Sequence, residues 1–268
     1  MPSLNEITVA QLMRLFGGPS TPVLLDVRID EDADAMPFII PGSIRIAHND
    51  VLDLLPKIKG RKVVVICHKG KKLSLGASAI LRSVGVESES LTGGVVDWKA
   101  AGYPMTPRSA LTGKPGEPTL WVTRHRPKID RIATPWLIRR FIDRDARFLY
   151  VPPAEVLDVA DRFSATAFDT PGAPFSHVDG KCTFDAIIGA FNLSHEPLDR
   201  LAELVRAADT NQLDASPQAA GLMAMSVGLS RLYKDDQDQL NAALPLYDAL
   251  YRWARDGFDE VHDHQEAR

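Results

Sequence analysis

Cys67 is the side chain of this sequence best suited to nucleophilic chemistry. It follows the apolar run Val63 to Ile66, which predicts a buried strand, and it precedes the small apolar segment Leu75 to Ser83, which predicts a helix. The residues that lead from the cysteine towards that helix are His68, Lys69, Gly70, Lys71, Lys72 and Leu73. Such a loop surrounds the sulfur with backbone N–H groups and the positive end of a helix, and its lysines add cationic charge. The pattern favours a thiolate and an anionic sulfur intermediate on Cys67. The alternative is an inert cysteine buried at a strand end.

A second group of candidate residues lies in a basic segment of the second half of the chain. From Arg124 to Arg147 there are eight Lys or Arg and three Asp. The candidates for oxyanion binding are Arg124, Arg126, Lys128, Asp130 and Arg131. Cations that cluster before a helix are suited to an oxyanion. The alternative is a solvated basic helix face, since charge alone does not distinguish the two.

Three further residues, His177, Asp185 and Asp209, are candidate ligands of a metal ion. Imidazole and carboxylate groups together suit iron, manganese or a related metal. Their spacing is irregular, however, and matches no compact metal motif. The alternatives are that Asp130 and Asp169 cap helices or turns and that His177 forms a hydrogen bond in a core.

The elements that must position these residues fall into two regions with different patterns. Before residue 107, short apolar runs alternate with helix-like stretches such as Val9 to Phe16, which predicts a parallel α/β sheet flanked by helices. Prolines and glycines in 107–118 predict a linker. After it, two short strands are predicted at 120–122 and 148–151, and four helices at 135–142, 197–208, 217–233 and 241–255. We therefore expect an α/β domain over 1–106, a mainly α-helical domain over 119–256 and a flexible tail over 257–268.

The bulk composition restricts the classes of protein to consider. The 268 residues are 45% hydrophobic and 25% charged, with a net charge of −4, which is typical of a soluble globular protein. No apolar run is long enough for a membrane helix, and the first residues lack the apolar core of a signal peptide. The two cysteines form no zinc or disulfide spacing. We expect a cytoplasmic protein that contacts no membrane.

Several motifs of the first region resemble, in order, those of the rhodanese homology domain. They are Leu24 to Arg28, the turn Ile40 to Ile44, the Cys67 loop, Leu91 to Val95, Trp98 and Gly102 to Pro104. The resemblance implies sulfur transfer from a small donor to a thiol acceptor, without a cofactor. It also implies Cys67 as the nucleophile, the amides from His68 to Leu73 as the cradle of its persulfide, and Asp26 and Arg28 as support. Two residues depart from the family pattern: Lys72 stands where arginine is frequent, and Ile39 where histidine is frequent.

The second region resembles the C-terminal domain of the chromate-resistance (ChrB-like) protein family. The motifs that carry this resemblance are Thr123-Arg124, Pro127 to Ala133, Pro135 to Asp143, His177 to Asp185, Ala208 to Thr210 and Tyr247 to Tyr251. Thr134 departs from the family, in which cysteine is frequent at this position. The resemblance implies a role in chromate resistance without a catalytic mechanism that can be transferred.

The combined expectation is a sulfurtransferase module joined to a domain that recognises an oxyanion, such as chromate, or a metal. Two alternatives remain open: a non-enzymatic sensor of chromate or redox state, and a metal-dependent oxidoreductase that acts through the second region. No helix-turn-helix pattern accompanies the basic segment, so nucleic acid is not an expected partner. The sequence leaves the oligomeric state undetermined.

Overall fold

The structure is a computed structural model that describes residues 4–114 and 116–260. Most of the predicted tail, from 261 to 268, lies outside the described residues, as do residues 1–3 of the predicted first domain and Pro115 of the predicted linker. No helix in the two described stretches combines the length and the apolarity that a membrane crossing requires.

The first region is built on a parallel five-stranded sheet with the order β1-β6-β5-β2-β4. A separate antiparallel pair, β3 with β7, joins the start of the predicted linker to the first region. The strands are β1 (Glu6–Ile7), β2 (Val23–Asp26), β3 (Phe38–Ile39), β4 (Ile44–Arg45), β5 (Val63–Ile66), β6 (Ser88–Leu91) and β7 (Thr106–Pro107). The expected parallel sheet is confirmed.

Alternate side chains of the two central strands enter different cores, as the twofold period of a strand requires. Leu24, Val64 and Ile66 belong to one buried cluster, whereas Leu25 and Val65 belong to another. Helices cover both faces, and they are α1 (Val9–Leu15), α2 (Asp30–Ala35), α3 (Leu55–Ile58), α4 (Lys72–Ser83) and α5 (Gly94–Ala100). Because both faces are covered, β2 and β5 consist almost entirely of apolar residues.

The second region is mostly helical, as expected, and its helices surround a small parallel sheet with the order β10-β8-β9. The strands are β8 (Leu120–Arg124), β9 (Arg147–Val151) and β10 (Thr166–Ala167). The helices are α6 (Asp130–Phe141), α7 (Val156–Phe163), α8 (Thr183–Ala190), α9 (Glu196–Asp209), α10 (Ala219–Leu232) and α11 (Asp236–Asp256). The sequence patterns do not predict β10, α7 or α8, which are short and lie among loops.

One continuous hydrophobic cluster joins the two regions. It includes Phe16 and Trp98 from the first region and Trp136 and Phe141 from the second. The rings of Phe16 and Phe141 meet edge to face, with their centroids 5.3 Å apart. Gly17, at φ 73°, lies so close to Phe141 that a Cβ there would come within 2.3 Å of that ring. The two regions therefore pack as one body around a shared core, and the division into domains at 107–118 stays a prediction.

Candidate functional site

Cys67 lies at the carboxyl end of β5, in a loop that the backbone holds in a fixed shape. Gly70 adopts φ 64°, and a Cβ there would lie 2.3 Å from the carbonyl oxygen of Leu91. The amide of Val95 donates to the carbonyl of Cys67 at 3.1 Å, and the amide of Val96 donates to that of His68 at 3.1 Å. These contacts press the loop against the turn between β6 and α5, and only glycine fits at position 70.

The sulfur of Cys67 faces the first turn of α4. The amide of Lys71 donates to Sγ at 3.3 Å, and Ser74 Oγ lies 3.2 Å from Sγ. The amino end of α4 has no side-chain cap, so backbone N–H groups and the positive end of the helix dipole are available to an anion on the sulfur. Ser74 has no role in the sequence prediction, although it stands in the first turn of the helix that follows the cysteine.

The other predicted loop residues surround this sulfur at different depths. Lys69, Lys71 and Lys72 are exposed, while His68 and Leu73 are half-buried. Cys67 itself is only 5% exposed. The loop therefore presents a cationic rim of three lysines above a nearly buried thiol.

Asp26 and Arg28 form a buried ion pair at the end of β2, the strand that pairs with β5. Arg28 donates to Asp26 through Nε at 3.0 Å and through a terminal nitrogen at 2.6 Å. The guanidinium group also donates to the carbonyls of Met36 and Phe38 at 3.1 and 2.7 Å. The pair thus fixes the segment before the Ile40–Ile44 turn rather than contacting the sulfur directly.

In the second region, four side chains converge to form what we call the His177 cluster: Asp130, Asp169, His177 and Asp209. From His177 Nε2 the nearest carboxylate oxygens are 3.2 Å away on Asp209, 3.3 Å on Asp169 and 3.5 Å on Asp130. The side chain of Asp130 is 2% exposed, whereas that of His177 is 43% exposed. The cluster therefore has buried carboxylates on its inner side and the half-exposed imidazole of His177 on its outer side.

Separate elements bring these four side chains together. Asp130 begins α6, and its carboxylate also accepts the amides of Thr183 and Phe184 at 2.7 and 3.0 Å, which caps α8. Asp209 is the last residue of α9. His177 directly precedes a tight turn through Asp179 and Gly180, whose positive φ angles of 51° and 74° match a two-residue hairpin turn. Tertiary packing, rather than sequence spacing, therefore defines the cluster.

The close carboxylates perturb one another and the imidazole. A hydrogen bond to Asp130, together with the charges of the three carboxylates, raises the pKa of His177 to about 9 against the opposing effect of burial. Burial, and then the charge of Asp130, raises the pKa of Asp209 to about 6. Arg124 and Arg131 pair with Asp169 at 2.8 and 3.1 Å and offset part of the negative charge.

These positions change two groups of predicted site residues. Asp185, a predicted metal ligand, instead pairs with Arg206 at 2.7 Å and lies outside the set of ligand atoms that converge on His177. Asp130, which the sequence assigns to an oxyanion site, belongs to this set of ligand atoms instead. Arg124 and Arg131 are committed to Asp169, and Arg126 donates to the carbonyls of Ser230 and Tyr233. Lys128 is exposed. Binding of an oxyanion by these residues stays a prediction.

A cationic cavity of about 310 Å³ opens between the two regions, away from both sites. Its basic lining residues are Arg45, Arg61, Arg108, Lys114, Arg139, Arg140 and Arg144, and its acidic ones are Glu117, Asp143 and Asp145. Burial, and then the charges of Arg61 and Arg140, lower the pKa of Arg144. The cavity therefore concentrates positive charge in a partly desolvated space.

The strand order, the covered faces of the sheet and the Cys67 loop define a rhodanese-like α/β domain that precedes a mostly helical region. The rhodanese-like domain model matches residues 8–101. The chain belongs to the ChrB family, because the model of the ChrB C-terminal domain matches residues 121–254, half of the chain. It is accordingly a ChrB-like protein with a rhodanese-like domain.

One curated protein and two solved structures are similar to parts of this chain. The ChrB protein of Cupriavidus metallidurans is 32% identical over 132 residues, which are 49% of this chain and 39% of that protein. A rhodanese-related protein from Thermoplasma volcanium is 25% identical, covers 38% of this chain and 96% of its own, and has a TM-score of 0.33. A rhodanese-like domain protein from Staphylococcus aureus is 26% identical over 35% of this chain and 91% of its own, with a TM-score of 0.31.

Proposed function

We propose that the chain transfers sulfur through a persulfide on Cys67. The observation that carries this proposal is the position of Sγ, 3.3 Å from the amide of Lys71 and at the uncapped start of α4. Backbone N–H groups and a helix amino end stabilise negative charge on sulfur. The match to the rhodanese-like domain model supports the same chemistry.

The transfer takes place in two balanced steps. The Cys67 thiolate attacks the outer sulfur of thiosulfate, the S–S bond of the donor breaks, and sulfite leaves with the bonding electron pair. A thiolate acceptor then attacks the terminal sulfur of the persulfide, and Cys67 departs as a thiolate. Before the reaction the negative charge lies on Sγ, which faces the Lys71 amide and Ser74 Oγ. In the persulfide the charge moves to the outer sulfur, and we expect the backbone N–H groups at the start of α4 to stabilise it there.

Intact-mass measurement after thiosulfate treatment tests this proposal. The wild-type chain should gain the mass of one sulfur atom and lose it when cyanide or a thiol is added. Cys67→Ser should gain nothing. Cys182→Ala is the matched control, because Cys182 is fully buried and burial raises the pKa of its thiol. A wild-type chain that takes no sulfur from thiosulfate or from a persulfide donor would refute sulfur transfer and leave the loop as an anion-docking module.

A second function, recognition of a tetrahedral oxyanion, is favoured by the cationic cavity. Several of its arginines form ion pairs, whereas Arg144 donates to the carbonyl of Thr21 and Arg139 to that of Ala146. Among the described residues, neither of these two arginines has a carboxylate within ion-pair distance. We expect sulfate and chromate to bind there. In a calorimetric titration, Arg144→Gln should weaken binding about 10-fold or more, since hydrogen bonds to charged groups contribute about 1.5–3 kcal/mol. The exposed Arg231→Gln serves as the control, and equal affinities for both variants would exclude the cavity.

A further inference from the structure

We propose that the His177 cluster is a binding site for one divalent first-row cation, Mn²⁺ or Fe²⁺, held by Asp130, His177 and Asp209. This site is independent of sulfur transfer at Cys67. One ligand atom from each of the three residues lies within 4.8 Å of the others.

The distances fit a shared ion better than a shared proton. Oxygen and nitrogen ligands at about 2.0–2.2 Å from a metal lie roughly 3–3.5 Å apart when they occupy neighbouring coordination positions. The separations of His177 Nε2 from the carboxylate oxygens of Asp209 and Asp130 are 3.2 and 3.5 Å. A single ring N–H can point at only one of the carboxylates that surround it, whereas a cation at their centre binds all of them.

A fully buried hydroxyl beside the cluster provides independent support. Within residues 4–114 and 116–260, Thr183 Oγ1 has no hydrogen-bond partner, although Thr183 is 0% exposed. The amide of the same residue donates at 2.7 Å to the Asp130 oxygen that faces His177. Buried polar groups normally have partners, and a water bound to a metal at this carboxylate would supply one.

The placement of Asp209 adds negative charge to a buried acidic group. It ends the 14-residue helix α9, where the helix dipole disfavours negative charge. It also stands within the same group as the almost fully buried Asp130. A bound dication would attract the carboxylates of Asp209 and Asp130 and would also be attracted by the negative end of the helix dipole. The arrangement is therefore favourable when a cation is bound.

The donor set selects the class of metal. One imidazole and two carboxylates are harder than the thiolate-rich sets that bind zinc structurally, and they suit Mn²⁺ or Fe²⁺. The remaining coordination positions would face the half-exposed side of His177, where water can exchange. Asp169 lies 3.3 Å from His177 Nε2 but is neutralised by Arg124 and Arg131, so we assign it to orienting the site.

Titration of the full chain with Mn²⁺, after removal of metal by a chelator, tests the site. The electron paramagnetic resonance signal of free Mn²⁺ should show one bound ion per chain, and Fe²⁺ under anaerobic conditions should displace it. His177→Gln and Asp209→Asn should each weaken binding at least about 100-fold, because even outer-shell changes cost about 10- to 100-fold. Sulfur loading of Cys67 should stay unchanged in both variants.

Asp179→Asn is the matched control, because Asp179 is an exposed carboxylate of the same loop and asparagine tolerates its positive φ. Mn²⁺ should also raise the Tm of the wild type and of this control, but not that of His177→Gln, whose half-exposed side chain can be replaced without unfolding the chain. The site would be refuted by a wild-type chain that binds no Mn²⁺ or Fe²⁺, by saturable binding of Zn²⁺ alone, or by affinities that neither substitution changes.

Discussion

The Cys67 loop and the His177 cluster differ in how the chain builds them. The loop takes its groups from one uninterrupted stretch, 67–74, and stabilises charge chiefly with backbone N–H groups. The cluster takes side chains from four separate segments, and Asp130 and Asp209 are 79 positions apart. A contiguous loop depends on local backbone shape, whereas a convergent cluster depends on the packing of whole helices. Changes near one site should therefore leave the other intact, and the following predictions test this separation.

The largest expected effect comes from the buried ion pair next to the strand that carries Cys67. Arg28→Met leaves the carboxylate of Asp26 buried without its partner, which should lower the free energy of unfolding by about 3–5 kcal/mol. Urea unfolding measures this loss. Arg108→Met removes the partly exposed partner of the exposed Asp34 and should cost less than about 1 kcal/mol. Similar losses in the two variants would contradict the argument.

Gly70→Ala should cause the next largest loss of stability. The loss should be smaller than that of Arg28→Met, because the change is confined to the loop. The new Cβ would meet the Leu91 carbonyl, and a left-handed conformation itself costs a non-glycine residue about 1–2 kcal/mol. We expect a stability loss of about 2 kcal/mol, a large loss of sulfur loading and unchanged Mn²⁺ affinity. Gly85→Ala is a control, since Gly85 also has positive φ but nothing near its Cβ. Retained sulfur loading in Gly70→Ala would show that the loop shape is not required.

Replacement of the cationic rim should affect the rate of sulfur loading more than stability. Changing Lys69, Lys71 and Lys72 to Gln removes three exposed charges that attract an anionic donor. Loading by thiosulfate should slow about tenfold at low salt, and the difference should shrink at high salt. Mass spectrometry over time at two ionic strengths measures both effects. A difference that is independent of salt would argue against attraction of the donor by the rim.

The smallest expected effect concerns His195, whose ring packs against Phe141 of the shared core and lies outside the His177 cluster. Its ring contacts the Leu193 carbonyl at 2.7 Å and the Tyr251 hydroxyl at 2.8 Å, and burial lowers its pKa. Because the folded pKa is below the unfolded value of about 6.5, the stabilising effect of the neutral ring is present above pH 6.5 and is lost as pH falls. Between pH 7 and pH 5 the free energy of unfolding should therefore fall less in His195→Gln than in the wild type. We expect the two losses, measured by thermal unfolding, to differ by roughly 1 kcal/mol or less. If the wild type and His195→Gln lost equal stability over this pH range, His195 would keep its ordinary pKa.

The same contrast explains how much could be predicted from the sequence. The strands around Val23 and Val63, the helix after Cys67 and the long helices of the second region follow from local periodicity. The convergence of Asp130 and Asp169 on His177 does not, because it depends on where α6 and β10 pack. The backbone at Ile129, with φ 37° for a β-branched residue, illustrates this. Its amide donates to Ser226 and its carbonyl accepts from Tyr247, so partners remote in sequence hold that conformation.

The contact of Gly17 with Phe141 also constrains how this chain can change over evolutionary time. A side chain at position 17 would meet the rings of both Phe141 and Tyr251, so it requires changes at those positions as well. Two modules that were once exchangeable become interdependent when such pairs accumulate in a common core. Recombination with a foreign rhodanese-like module would then require these core contacts to be rebuilt, even if the Cys67 loop and the His177 cluster were transferred whole.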